Sequence, residues 1–127
     1  MLAAVTFCAV SAPALAEPDG VVAYTIQNGR EIAESLTGAP GDPAAGARLY
    51  EEAGCAGCHD VKIPPGGRLS AGEVRLWIVA PAAIAPETEM PGAYLAGQRT
   101  GPEDPLYGGP ALTAQEVENL VAFLAGR

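Results

Sequence analysis

The pentapeptide Cys55-Ala56-Gly57-Cys58-His59 constrains this chain more than any other stretch. C-x-x-C-H is the spacing at which two thiols attach one c-type haem. The thioethers form at the two vinyl groups of a single porphyrin, so they must leave the backbone a short, fixed distance apart. The histidine follows at once because its ring must lie under the iron, where an imidazole nitrogen makes the proximal bond. A longer insert would swing the ring off the haem axis. Cys55 and Cys58 are therefore the candidate covalent attachment points of one haem c, and His59 is the candidate proximal ligand.

Two other chemistries use similar spacing. A zinc site needs about four protein ligands if structural, or three plus water if catalytic. Beyond the N-terminal segment, Cys55, Cys58 and His59 are the only Cys or His residues, so a closed zinc site would have to recruit a carboxylate. A thioredoxin-like C-x-x-C sits in a βαβ context, and the sequence has no such pattern.

Met90 is the second informative residue. It is the only methionine besides Met1 and lies among breakers, Pro86-Glu87-Thr88-Glu89-Met90-Pro91-Gly92. A lone methionine usually fills core, but this one is on no apolar helix face. A thioether is a soft axial ligand for haem iron and raises the reduction potential. Met90 is thus the candidate sixth ligand, opposite His59.

The remaining sequence reads as one small all-α domain. At 127 residues the chain holds one domain at most. A net charge of −8 argues against nucleic acid. It suits a partner with a basic or mixed surface, and equally well serves solubility alone.

Residues 1–16 read as a secretory signal: Leu2 to Val10 is apolar and Ala14-Leu15-Ala16 matches a small-x-small cleavage site. No Lys or Arg precedes the apolar run, which leaves open a start upstream of Met1. The apolar run is too short to span a bilayer as a helix, and Cys8 would be lost with it. Residues 17–41 form an extension in which Val21 to Tyr24 suggests a short strand or a strip along a partner. Asn28-Gly29 signals a turn. Tyr24, Ile26, Ile32 and Leu36 need cover. That need favours a packed arm over a poorly ordered leader, and their apolar surface is also read as facing a partner, so that deleting 17–41 is expected to weaken association and leave the haem spectrum nearly intact.

Three helices are expected in residues 42–127. Asp42 and Pro43 open the first, with Leu49, Tyr50 and Ala53 on one face, Gly46 allowing a close helix crossing and Gly54 at the left-handed end. Ser70 with Glu73, and Thr113 with Glu116, are capping boxes for the second and third. Leu69/Val74 and Leu112/Val117 are the matching hydrophobic staples. Val74, Trp77 and Ile78 share a face of the second, and Trp77 is read as core ahead of a haem or partner contact. Val117, Leu120, Val121 and Leu124 stripe the third. A proline carbonyl in 63–65 is a candidate acceptor for the His59 ring N–H. Arg99 is assigned either to a haem propionate or to solvent.

The order helix, C-x-x-C-H, loop, helix, methionine loop, terminal helix resembles the class I cytochromes c. Gly46 and Tyr50 match the small and aromatic positions of that family's first helix; Leu120 and Phe123 match the large positions of its last. Ser35-Leu36-Thr37-Gly38-Ala39-Pro40-Gly41-Asp42-Pro43, Cys55 to His59, Pro86 to Pro91, and Leu112-Thr113-Ala114-Gln115-Glu116-Val117-Glu118 resemble more specifically the SoxX family, the small haem subunits of SoxAX sulfur-oxidation cytochromes. The segment 60–69 is shorter than that family's, which carries a Gly-Pro-x-Leu element there.

The resemblance implies a periplasmic monohaem cytochrome paired with a SoxA-type haem subunit that bears the reactive cysteine. The complex would be an L-cysteine S-thiosulfotransferase, joining thiosulfate oxidatively to a cysteine of the SoxYZ carrier. This subunit would pass the electrons to a soluble cytochrome c. The alternative is a free-standing periplasmic electron shuttle.

Overall fold

The computed structural model describes residues 20–59 and 65–125. The signal-like segment, its cleavage site and Cys8 lie outside the described residues. Three helices form: α1 (Pro43–Glu52), α2 (Ala71–Val79) and α3 (Ala114–Leu124), with short 3-10 turns at Cys55–Gly57 and Pro81–Ala83. Among the described residues there is no strand, so the all-α expectation holds. Residues Val21 to Tyr24 form no strand; a lone bridge joins Gln27 to Glu31 around the Asn28-Gly29 turn.

Each helix begins where its local chemistry dictates. The Asp42 carboxylate accepts the Ala44 N–H at 2.9 Å. At α2, Ser70 Oγ accepts the Glu73 N–H at 3.1 Å and Glu73 returns the bond to the Ser70 N–H at 3.3 Å. At α3, Thr113 and Glu116 do the same at 3.2 and 3.1 Å. Losing such a cap typically costs about 1 kcal/mol.

Helices α1 and α3 cross tightly because α1 carries no side chain at the crossing. A Cβ on Gly46 would overlap the Asn119 carbonyl and crowd Phe123, and one on Gly41 would overlap the Glu118 and Asn119 backbone. Asn119 Oδ1 also accepts the Asp42 N–H at 2.8 Å. Beyond the glycine contact, Tyr50 packs on Phe123 with ring centroids 5.6 Å apart and planes tilted by 59°. The apolar stripe of α3 is buried as its periodicity implies, with Val117, Leu120, Val121 and Leu124 all in the core.

Helix α2 is held to α3 by a buried ion pair. Arg75 Nε meets Glu118 Oε1 at 2.7 Å, and Nη2 meets Oε2 at 2.9 Å. The remaining capacity goes to the arm. Arg75 Nη1 donates to the Ile32 carbonyl at 2.5 Å, and Glu118 Oε1 accepts the Leu36 N–H at 2.9 Å. A buried charge pair is tolerable only when its leftover donors and acceptors are satisfied. Among the described residues, no buried side-chain nitrogen or oxygen lacks a partner.

The arm is packed, as its apolar residues require, and only their assignment to a partner surface is corrected. Ile32 and Leu36 are 1% and 4% exposed, buried in this chain's own core. Val22 is buried too, its N–H donated to Tyr94 Oη at 2.8 Å. The Tyr24 ring lies 6.5 Å from that of Tyr94. Only Ile26 is largely open. The arm is an integral layer over α2 and α3, so its apolar residues need no second protein to cover them.

Candidate haem-binding site

Gly54 turns the chain out of α1 with φ at +84°. The motif follows as one tight turn, in which the Cys58 and His59 N–H groups both donate to the Cys55 carbonyl, at 3.3 and 3.0 Å. Residues three apart eclipse in such a turn, which brings Cys55 and Cys58 to one side of the backbone. Both thiols are free. Cys55 is half-buried, and burial pushes its thiol above the ordinary cysteine value, partly offset by a backbone hydrogen bond. At neutral pH it is therefore the protonated thiol. Cys58 is exposed.

His59 opens onto a cavity of about 300 Å³ lined also by Leu69, Val74, Trp77, Ile78, Met90 and Leu124, with Pro65, Gly66 and Thr88 completing the wall. That volume sits at the lower end of the roughly 300–1,000 Å³ of ligand pockets. The histidine and methionine singled out in the sequence thus line one space, although α2 separates them in the chain. Neither cysteine lines it. The turn holds them in the residues immediately before His59. Leu69, Val74 and Ile78 from α2 and its approach, with Leu124 from the end of α3, supply an apolar floor and walls.

An apolar cavity with one imidazole and one thioether, next to a pair of free thiols, is the donor set a covalently tethered haem requires. Among the described residues, no group of three His, Cys, Asp or Glu side chains is arranged to hold a metal ion.

The structure bears on two further residues. Trp77 is a half-buried wall of the cavity, outside the packed core. An indole suits such a place because it is large and apolar with one polar edge. Arg99 is engaged within its own loop. It binds Asp104 Oδ2 at 2.9 Å and the Pro110 and Ala111 carbonyls at 3.1 and 3.0 Å, bracing the loop before α3. Pro65 lines the cavity beside His59, while Ile63 and Pro64 lie outside the described residues.

Other participants were not read from sequence. Thr88 lines the cavity and its Oγ1 accepts the Met90 N–H at 3.2 Å. A threonine two residues before a loop methionine is a local turn signal that would have found it. The Arg75–Glu118 pair left no such trace.

The family model for cytochrome c matches residues 43–127. The chain belongs to the cytochrome c family. This cytochrome carries covalently bound haem c, and its role is electron transfer. A chain in the crystal structure of SoxXA from P. pantotrophus is similar to it, with a TM-score of 0.63 and 28% sequence identity over 80% of this chain and 91% of that one. A search of curated proteins gave no match. No helix among the described residues is long and apolar enough to cross a membrane.

Proposed function

We propose that this cytochrome is the SoxX-type electron-transfer subunit of a SoxAX complex. Cys55 and Cys58 would hold one haem c through thioethers, and His59 and Met90 would be its iron ligands. Residues 1–16 are a secretory signal delivering residues 17–127 to the periplasm, with 17–41 as an extension before the haem domain at 42–127. The observation that carries the proposal is the shared apolar cavity of His59 and Met90 beside the C-x-x-C turn. The likeness to a chain of SoxXA supports the finer assignment.

When bound, the haem supplies one-electron oxidation and reduction at iron. The protein's part is positional and electrostatic. The cysteines fix the porphyrin, the His59 ring donates a nitrogen lone pair, and Met90 donates from sulfur. The wall of Leu69, Val74, Trp77, Ile78 and Leu124 excludes water, and burial together with sulfur ligation favours the reduced iron. The only described cysteines belong to the haem turn. A SoxA-type partner must therefore supply the reactive thiol that couples thiosulfate to a SoxYZ cysteine, and the electrons leave to a soluble cytochrome c.

The packed arm favours keeping a second reading, the free-standing shuttle, because the arm is complete without a partner. Apart from Ile26, the large apolar side chains left to solvent among the described residues are on the loop before α3: Leu95, Leu106 and Tyr107 are 53%, 45% and 61% exposed. Gel filtration of the mature holoprotein with and without a SoxA-type subunit decides between the two. A complex at micromolar concentration supports the SoxX role. No complex, with fast exchange to several unrelated cytochromes, supports the shuttle. Covalent haem is checked by haem staining after acid-acetone extraction, and loss of colour there would sink both.

A further inference from the structure

The methionine loop returns to the body of the protein at Gly92 and Ala93. The Ala93 N–H donates to the Ile78 carbonyl of α2 at 3.0 Å, and the Ala93 carbonyl accepts the Leu112 N–H at 2.9 Å. Gly92 lies so close to α2 that a Cβ there would come within 2.9 Å of the Val79 carbonyl. The Gly92 carbonyl accepts from Gln98 Nε2 at 2.7 Å. Gln98 Oε1 in turn accepts two backbone donors, the Leu95 N–H at 2.8 Å and the Ala111 N–H at 2.9 Å. Two N–H groups on one amide atom and a carbonyl on the other fix which atom is oxygen. One carboxamide thus ties the end of the methionine loop to both flanks of the loop that leads into α3.

We propose that Gln98 is the positioning residue for Met90, its carboxamide clamping the Gly92 carbonyl so that the methionine loop stays closed over the cavity. The proposal rests on Met90 as sixth ligand. Two bonds hold that loop near its ends, Thr88 Oγ1 to the Met90 N–H on one side and Gln98 to Gly92 on the other. With the second removed, a half-buried carbonyl loses its partner in the closed state but regains water in the open one. The equilibrium then shifts toward the open loop, by about tenfold for an ordinary hydrogen bond of this kind.

Gln98→Glu is the sharpest test. It keeps oxygen acceptors for Leu95 and Ala111 and turns the Gly92 donor into a second acceptor that repels the carbonyl. Gln98→Met removes all three bonds at similar length, and serves if the glutamate variant does not fold. In the oxidised holoprotein each variant should show a weakened sulfur–iron charge-transfer band and about tenfold faster cyanide binding. Helix content by far-UV circular dichroism should not change. A lower thermal midpoint with wild-type band and wild-type cyanide rate would mean that Gln98 is only a loop brace, and would overturn the proposal. Met90→Ala is the control for the underlying assignment. If wild type has no sulfur–iron band, or Met90→Ala leaves it unchanged, the methionine ligation itself fails and the Gln98 proposal falls with it.

Discussion

Arg75 and Glu118 meet inside the protein as a two-pronged ion pair, with side chains only 5% and 2% exposed. Because both groups also bind the arm, the pair joins three parts of the chain at one point. Removing one partner strands a buried charge, so Glu118→Gln and Arg75→Met should each cost about 3–5 kcal/mol in guanidinium unfolding. The double variant Arg75→Met/Glu118→Leu should recover part of that loss. It should stay below wild type, because the Leu36 N–H and Ile32 carbonyl lose their partners. Additive losses in the double variant would show that the two side chains are not coupled.

Deleting residues 17–41 should unfold the protein more easily, by more than about 4 kcal/mol, because it removes Ile32 and Leu36 from the core and undoes the bonds to the ion pair. The haem spectrum of the truncated form should then melt at lower denaturant. This reverses the outcome expected if the arm only served a partner. A truncated protein of full stability would restore that view.

Gly46→Ala should be destabilising although alanine is the better helix former. The added methyl has nowhere to go but the Asn119 backbone, so α1 and α3 must part, at a cost of about 1–3 kcal/mol for overpacking. A thermal melt with an unchanged or raised midpoint would show that the crossing is looser than described.

The loop before α3 should be acid-sensitive. Asp104 accepts the Leu106 N–H at 2.8 Å and pairs with Arg99, and these bonds hold its carboxyl below the usual aspartate value. A depressed folded-state value stabilises the loop above the unfolded aspartate value of about 3.9 and is lost as pH falls through the lower folded one. Hydrogen exchange at the Leu106 amide, corrected for its intrinsic pH dependence, should therefore stay protected at mildly acid pH and lose protection below that value. Asp104→Asn should flatten the dependence.

If a SoxA-type subunit docks on the exposed loop, Leu106→Glu/Tyr107→Glu should weaken the complex by about 30-fold or more, as loss of an aromatic anchor does. The haem spectrum should be unchanged. Wild-type affinity in this variant would move the interface elsewhere.

What was legible in the sequence was what local chemistry decides. The reciprocal caps at Ser70/Glu73 and Thr113/Glu116, the glycine at the helix crossing, and the stripe on α3 each need only a few neighbouring residues to be read. The positions of His59 and Met90 followed from what each residue type can do for a porphyrin. What stayed hidden was long-range. Arg75 gives no local signal of burial because its partner is 43 residues away. Arg99 was matched to an imagined anion, while three acceptors within its own loop were already using its donors. The arm's apolar residues show that it needs cover, but not what covers it, because no periodicity marks a segment that packs without forming a helix or strand.

The arm's bond to α3 also fixes an order of events. The Leu36 N–H and the Glu118 carboxylate that receives it are 82 residues apart, and Leu124 closes one wall of the cavity. A chain delivered N-terminus first therefore presents Cys55 to His59 while the last helix is still to come. Until then nothing covers Gly46's flat face, nothing neutralises Arg75, and the cavity lacks its Leu124 wall. Were the porphyrin attached in that interval, it would have its widest access, and arrival of the final helix would then complete the cavity wall around it.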